Sequence, residues 1–169
     1  YSWALYYSLK KLSVNVYDLT EEKLDLAKKR IHESLLNLMK NDVVTEDEIT
    51  EIEERINYTT SMEEAVKDVQ FITESGPENY EVKRQMAEEM EKYTSSETII
   101  ASSTSGLLVS EIAKNAKHPE RFIGAHPYNP PHLIPLVELT KGDKTDPKVV
   151  EVAKEFYQLI DKEPVVLQK

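Results

Sequence analysis

The sequence predicts an α/β fold in which helices cover a doubly wound, mostly parallel sheet. Short apolar runs rich in β-branched residues alternate with longer stretches of helical periodicity. Helix-start signals separate these runs, and polar residues follow several of the predicted strands. This alternation is typical of βαβ units, which bind ligands beyond the carboxyl ends of their parallel strands.

The composition fits one globular domain of 169 residues, with 40% hydrophobic and 31% charged residues. The net charge of −10 disfavours nucleic acid as a partner, because phosphate contacts need clustered Lys and Arg. No apolar run is long enough to cross a membrane, and no secretion leader is visible. The absence of Cys excludes disulfides and fits a reducing compartment. We therefore expect a cytoplasmic protein with a small-molecule ligand.

The chain begins with a predicted helix, strand and helix. Residues 1–11 resemble the body of a buried helix, which implies that the chain starts inside a larger domain. Residues 13–17 form a predicted strand that ends at Asp18. Thr20 then has the character of an N-cap, and apolar residues at helical spacing continue the next helix to about Met39.

Two capping boxes and a strand follow. Thr45 with Glu48, and Ser61 with Glu64, each have the spacing in which a hydroxyl and a carboxylate satisfy the first N–H groups of a helix. Both pairs therefore predict short helices, with a strand at 56–60 between them.

The next predicted elements are two strands, each followed by a helix. Residues 69–73 form a strand, and Pro77 suits the first turn of a helix that continues to about Tyr93. Residues 98–102 form another apolar strand, followed by a helix over about 107–115.

The last part of the chain is predicted to hold three extended segments and one helix. Residues 122–126 and 134–140 are extended, and 163–167 form a final strand. Asp146–Pro147 combines an N-cap with a first-turn proline, which predicts a helix reaching about Ile160.

Polar residues follow four of these strands, at Asp18, 74–75, 102–105 and 126–129. The carboxyl ends of parallel strands meet at one edge of a sheet, so we expect these residues to converge there. The pattern alone therefore predicts a ligand site at that edge.

Asp18 is a candidate ribose ligand. A carboxylate at the end of such a strand accepts hydrogen bonds from the hydroxyls of an adenosine ribose and repels a 2′-phosphate, which favours NAD over NADP. The alternative is that Asp18 only stabilises the dipole of the following helix. The glycine-rich phosphate loop of such a site is missing, and we attribute this to truncation before Tyr1.

Ser105 lies in the turn 102–106, whose sequence is SSTSG. Hydroxyl and backbone N–H groups at such a turn suit a carbonyl, hydroxyl or phosphate oxygen. Ordinary N-capping of the next helix by Ser105 is the alternative.

His126 begins the segment HPYNPP, and Glu138 stands on the next extended segment. A Glu that accepts a hydrogen bond from one imidazole nitrogen raises the basicity of the other, so this pair could exchange a proton with an alcohol as hydride leaves. The alternative is a buried pair that holds two strands together. His126 and His132 lack a third ligand at metal-binding spacing, and the GxSxG elbow of hydrolases is absent.

Residues 99–140 carry SSTS, AHPYNPP and IPLVE in that order, and this segment resembles the 3-hydroxyacyl-CoA dehydrogenase family. It is especially similar to the λ-crystallin and L-gulonate 3-dehydrogenase branch. Residues 74–83 (ESGPENYEVK) also follow the family pattern, and YSWALYY at 1–7 looks like the helix after its GxGxxG loop. The resemblance implies a Rossmann-type NAD-binding domain over 1–169, without its first strand and glycine loop. It also implies a C-terminal helical dimerisation domain outside the chain.

The resemblance implies three catalytic residues. His126 resembles the catalytic base, and Glu138 resembles the carboxylate that orients it. Ser105 matches the serine that contacts the substrate oxygen and the nicotinamide region.

The resemblance also implies residues that bind cofactor and substrate. Asp18 matches the acid that binds the adenosine ribose, and Asn129 lies beside the nicotinamide end. Glu78 and Lys83 match positions that contact the ribose on the nicotinamide side. Ser34 falls at a position that touches CoA in members acting on acyl-CoA.

The implied function is that of an NAD-dependent, homodimeric 3-hydroxyacyl-CoA dehydrogenase of fatty acid metabolism. However, Asn41 stands where some members have a lysine that meets the CoA phosphates. A dehydrogenase of a small free hydroxy acid, of the L-gulonate, carnitine or diketo-ester type, therefore stays open. A non-catalytic, crystallin-like NAD-binding protein is a further alternative.

Overall fold

The structure is a computed structural model that describes residues 1–168. The chain divides into two compact units, Tyr1–Ala65 and Val66 onward. Each unit has its own parallel strand pairing, so the mostly parallel sheet predicted from the sequence is confirmed but is formed as two sheets. No helix within the described residues is both long and apolar enough to cross a membrane.

The first unit combines a two-stranded parallel sheet with helices. Its strands pair in register from Val14 with Ile56 to Tyr17 with Thr59. Its core includes fully buried Leu5, Ile31 and Leu35. The elements, in chain order, are α1 (Ser2–Leu9), β1 (Val14–Tyr17), α2 (Glu21–Lys40), α3 (Glu46–Glu54), β2 (Ile56–Thr59) and α4 (Met62–Val66), whose last residue belongs to the second unit.

Side-chain caps start α2 and α3, as the sequence predicts. The Thr20 side chain accepts a hydrogen bond from the N–H of Lys23, and Thr45 forms a complete capping box with Glu48. The second predicted box is only half formed. The Ser61 hydroxyl accepts from the N–H of Glu64, but the Glu64 carboxylate accepts from the Thr59 hydroxyl at 2.6 Å.

The second unit contains a five-stranded sheet in the order β3-β4-β5-β6-β7. Adjacent strands are parallel except for the antiparallel pair β5–β6. The fully buried side chains of Ile123, Leu139 and Tyr157 are part of its core. The elements are β3 (Phe71–Glu74), α5 (Tyr80–Glu91), β4 (Ile99–Ser102), α6 (Val109–Ile112), a 3₁₀ turn (Pro119–Arg121), β5 (Phe122–Pro127), β6 (Leu136–Lys141), α7 (Pro147–Leu159) and β7 (Glu163–Val166).

The start of α5 differs from the prediction. The helix begins at Tyr80, with Asn79 as the N-cap whose side chain accepts from the N–H of Val82. Pro77 therefore lies in the loop before the helix and not in its first turn. The reason is that Asn79 is a strong N-cap, while the N–H of Gly76 is already bonded to the Glu74 carboxylate at 2.5 Å.

The helix predicted over 107–115 is only the short α6, from Val109 to Ile112. Four successive N–H groups before it donate to side chains, and the last of them, that of Leu108, donates to the Tyr80 hydroxyl at 3.0 Å. Those of Ser105 and Gly106 donate to Glu78, and that of Leu107 donates to the Thr104 hydroxyl. A segment anchored in this way stays a loop, and Ser105 does not cap the helix. Asp146 and Pro147, in contrast, start α7 as predicted.

Candidate active site

His126 and Glu138 meet where β5 and β6 run antiparallel. Their Cα atoms are register partners in this strand pair, so both side chains project from the same face of the sheet. Nδ1 of His126 lies 3.0 Å from Oε2 of Glu138. Each side chain is 28% exposed, so the pair is partly accessible to solvent.

The Glu138 carboxylate is held in its ionised form. The hydrogen bond from His126 and that from the Tyr128 hydroxyl lower the pKa of Glu138 below its usual value. An ionised carboxylate only accepts, so Nδ1 of His126 carries the proton of the shared bond. The other ring nitrogen, Nε2, makes no hydrogen bond within residues 1–168.

Glu78 anchors the loop that carries Ser105. Its Oε1 accepts from the Thr104 hydroxyl at 2.7 Å, from the N–H of Ser105 at 2.9 Å and from the N–H of Gly106 at 3.1 Å. The Ser105 hydroxyl lies 3.3 Å from the same oxygen. Burial opposes ionisation of Glu78, but the Thr104 hydroxyl and these backbone donors outweigh it, so the net pKa of Glu78 is lowered.

Lys83 forms a buried ion pair with Glu74 at the end of β3. Its ammonium lies 2.9 Å from both carboxylate oxygens and donates to the carbonyl of Gly76 at 3.2 Å. The two side chains are 1% and 2% exposed, and Ser102 donates a further bond of 2.6 Å to Glu74. Glu78 Oε2 is 3.9 Å from the Lys83 ammonium. All three ammonium protons thus have protein acceptors, and a contact of Lys83 with a cofactor stays a prediction.

The loops after β3, β4 and β5 leave the same edge of the second sheet. Glu74 pairs with Ser102, and Ser102 pairs with Gly124, across parallel strands. Ser75 and Ser103, the first residues after β3 and β4, have hydroxyls 3.2 Å apart. The expected convergence of polar strand ends is therefore confirmed for these three strands. Asp18 belongs to the first unit.

Asn129 lies exposed in the loop between β5 and β6. The buried Lys162 holds this loop, because its ammonium donates to the carbonyl of Pro131 and, at 2.8 Å, to that of Ile134. His132 in the same loop has its pKa lowered by burial and by the Lys162 charge. Its Nδ1 is buried without a hydrogen-bond partner within residues 1–168.

Asp18 and Ser34 lie in the first unit. Asp18 follows β1, and its Oδ1 accepts from the N–H of Leu19 at 2.7 Å and lies 3.3 Å from the Lys23 ammonium. Its side chain is 42% exposed. The Ser34 hydroxyl donates to the carbonyl of Arg30 at 2.8 Å, one turn earlier on α2.

The sequence analysis assigned no role to three residues that shape this site. Tyr128 donates a hydrogen bond to Glu138, Thr104 donates one to Glu78, and Lys162 donates to backbone carbonyls of the loop that carries Asn129. Tyr128 stands inside the segment HPYNPP, and an aromatic hydroxyl two residues after His126 is a usable signal. Lys162 is far from its loop in sequence, so no local signal reveals it.

Each unit carries solvent-accessible polar groups of its own. Asp18 offers a half-exposed carboxylate at a strand end, which suits the hydroxyls of a ribose. In the second unit, Ser105 and Asn129 offer an exposed hydroxyl and an exposed amide. These groups can hydrogen-bond a carboxamide or a substrate oxygen.

Comparison with known proteins identifies the family. Residues 1–169 match the family described as 3-hydroxyacyl-CoA dehydrogenase, NAD binding domain, and the chain belongs to it. This confirms the resemblance seen in the sequence, the Rossmann-type fold and NAD as the cofactor of the family.

Two relatives and one solved structure illustrate the similarity. The L-carnitine dehydrogenase of Oceanobacillus iheyensis is 40% identical over 114 residues, which are 68% of this chain and 37% of the relative. The L-carnitine dehydrogenase/betainyl-CoA thioesterase of Rhizobium meliloti is 36% identical over 99% of this chain and 33% of its own length. The crystal structure of 3-hydroxybutyryl-CoA dehydrogenase from Escherichia coli K12 has a TM-score of 0.93 at 27% identity, covering 98% of this chain and 35% of that chain. The matched residues cover about a third of the length of each of these proteins.

Proposed function

We propose that this chain is the NAD-binding domain of a dehydrogenase that interconverts a 3-hydroxy acid and its 3-keto form. The observation that carries the proposal is the half-open His126–Glu138 pair at an edge where the loop of Ser105 also emerges. A structural protein has no need for an ionised carboxylate that orients a solvent-accessible imidazole. This disfavours the non-catalytic alternative.

The proposed chemistry divides the work between cofactor and chain. Bound NAD supplies the hydride acceptor at its nicotinamide ring. Nε2 of His126 takes the proton of the substrate hydroxyl, and Glu138 stabilises the imidazolium that forms. Ser105 donates its hydroxyl to the substrate oxygen, which it can do by leaving its 3.3 Å contact with Glu78.

The remaining site residues are proposed to hold the cofactor. Asp18 would accept from the adenosine ribose, Asn129 would contact the nicotinamide end, and Glu78 and Lys83 would support the second ribose. The Lys83 ammonium is fully used by Glu74 and Gly76, so its support would act through Glu78 at 3.9 Å.

Two observations favour a small free acid of the carnitine type over a CoA ester as substrate. The named relatives with the higher identities are L-carnitine dehydrogenases. In addition, the side chains at both positions implied for CoA are bonded to their own helix, Ser34 to the Arg30 carbonyl at 2.8 Å and Asn41 to that of Asn37 at 2.7 Å. The 3-hydroxyacyl-CoA ester, favoured by the family description, is the second candidate.

A substrate panel tests both candidates. The full-length protein would be assayed with NAD and L-carnitine, L-gulonate and 3-hydroxybutyryl-CoA, and in reverse with a diketo ester and NADH. We expect kcat/KM to be highest for a free acid. A preference for the CoA ester would reverse the substrate assignment, and no turnover of any substrate would remove the proposed activity.

The domain organisation is part of the same proposal. The chain would be one domain of a longer, cytoplasmic homodimer whose C-terminal helical domain forms the dimer contact, with fatty acid metabolism as the setting if CoA esters prove to be substrates. The relatives' greater length supports a second domain. Sedimentation of the full-length protein would test the dimer.

A further inference from the structure

The Glu138 carboxylate is bonded at both of its oxygens. Oε2 lies 3.0 Å from Nδ1 of His126, and Oε1 accepts from the hydroxyl of Tyr128 at 3.1 Å. Three titratable side chains thus meet here, His126 from β5, Glu138 from β6 and Tyr128 from the loop between the strands.

The backbone fixes where the Tyr128 hydroxyl can reach. Tyr128 lies two residues after His126, and its N–H still donates to the carbonyl of Leu136 on β6 at 3.4 Å. Its ring centroid is 5.4 Å from that of the imidazole, at an interplanar angle of 53°. The side chain is 41% exposed, so its hydroxyl is not part of the core.

The phenol acts as a donor in this contact. The hydrogen bond to Glu138 and the charge of that carboxylate raise the pKa of Tyr128 above its usual value, so the hydroxyl stays protonated at neutral pH. A donor on Oε1 restricts rotation of the carboxylate and draws negative charge away from Oε2. Both effects act on the bond between Oε2 and His126.

We propose that Tyr128 is a positioning residue for proton transfer, which fixes the Glu138 carboxylate and moderates its stabilisation of the His126 imidazolium. This inference rests on the proposed function, because it assigns Tyr128 a part in the same reaction. It adds a third member to the acid–base pair, acting through Glu138 and not on the substrate.

Tyr128→Phe in the full-length protein tests the inference, because the substitution removes only the hydroxyl. Without that donor, the Glu138 carboxylate keeps more negative charge. The His126 imidazolium is therefore stabilised more strongly, so Nε2 loses its proton only at higher pH. We expect the acidic midpoint of the pH profile of kcat/KM for alcohol oxidation to rise by about half a pH unit, with a roughly threefold lower kcat and unchanged KM for NAD.

Tyr93→Phe is the matched control, since the Tyr93 hydroxyl bonds the carboxylate of Glu89 on the remote end of α5. Its pH profile should coincide with that of the parent. In a Glu138→Gln background, Tyr128→Phe should no longer move the midpoint.

A Tyr128→Phe profile with an unmoved or lowered midpoint, in an active parent enzyme, overturns the role of Tyr128 and leaves the proposed function intact. An inactive parent would instead defeat the proposed function itself. The midpoint of thermal unfolding of the variant should equal that of the parent. This measurement distinguishes a change in the reaction from misfolding of the variant.

Discussion

The imidazole of His126 and the carboxylate of Glu138 lie 3.0 Å apart on directly opposed positions of two antiparallel strands. The hydrogen-bonded pairing of the two strands, and not a loop, therefore sets the distance between the imidazole and the carboxylate. Several consequences of this and of the neighbouring contacts can be measured.

Replacing His126 by Gln should lower kcat by about 10³-fold, because general acid–base catalysis contributes on this scale. Binding of NADH, followed by fluorescence titration, should change little. His118→Gln is the matched control, because His118 lies 3.1 Å from Glu120 in an exposed pair away from the sheet edge. Undiminished turnover of His126→Gln would remove it from the mechanism.

Glu78→Gln should make the free energy of unfolding less dependent on pH in the acidic range. The native pKa of Glu78 is lowered, so its contribution is fully present above the unfolded pKa and is lost as the pH falls through the lowered native value. Thermal unfolding would be measured from pH 7 to about pH 3. The midpoint of the parent should exceed that of the variant by a constant amount near neutral pH, and this difference should shrink below about pH 4.5. An advantage independent of pH would contradict the assigned hydrogen bonds.

Lys83→Met should destabilise the second unit by about 3–5 kcal/mol, because it leaves the buried Glu74 carboxylate without its cation. Urea denaturation measures the change. Lys92→Met, which removes an exposed partner of Glu89, should leave stability unaltered. The double variant Lys83→Met/Glu74→Gln should recover part of the loss, and failure to recover any would argue against the ion pair as the cause.

Gly124→Ala should destabilise the sheet by roughly 1–3 kcal/mol. A Cβ at this position on β5 would stand 2.1 Å from the Thr140 hydroxyl oxygen on β6. Gly106→Ala serves as the control, because its Cβ would meet nothing within 4 Å. Equal midpoints of thermal unfolding for both variants would disprove the close approach of β5 to β6.

Asp18→Ser should relax the preference for NAD over NADP by about tenfold or more in the ratio of kcat/KM, because it removes the charge that repels a 2′-phosphate. Asp25→Asn, on α2 in an exposed pair with Lys28, should leave the ratio unchanged. An unaltered ratio for Asp18→Ser would show that its carboxylate only stabilises the start of α2.

Elements with local signals are predictable from this sequence. Thr20, Thr45 and Asp146 each cap the helix that their spacing predicts, because a cap bonds to backbone only a few residues away. The start of α5 and the shortness of α6 depend on Glu74 and Glu78, whose bonds cross from one loop to another. Spacing along the chain carries no information about such contacts.

The site was likewise predictable only in part. His126 ends one predicted extended segment and Glu138 lies within the next, and both have side chains that can exchange or stabilise a proton. The structure places the two side chains 3.0 Å apart. Periodicity does not reveal that β6 runs antiparallel to β5, which is what makes the two residues opposed. The burial of Lys83 is also invisible in sequence, because its partner Glu74 lies on the preceding strand.

The pairing of β5 with β6 also places the proposed catalytic pair on different elements from the residues proposed to contact the ligand. The His126–Glu138 pair is built into the sheet, whereas Ser105 and Asn129 are carried by loops. Under the proposed roles, exchanges in the loop of Asn129 would change which molecule is accepted and would leave the strand positions of His126 and Glu138 as they are. Such an arrangement would allow related enzymes to differ in substrate preference while they share one reaction.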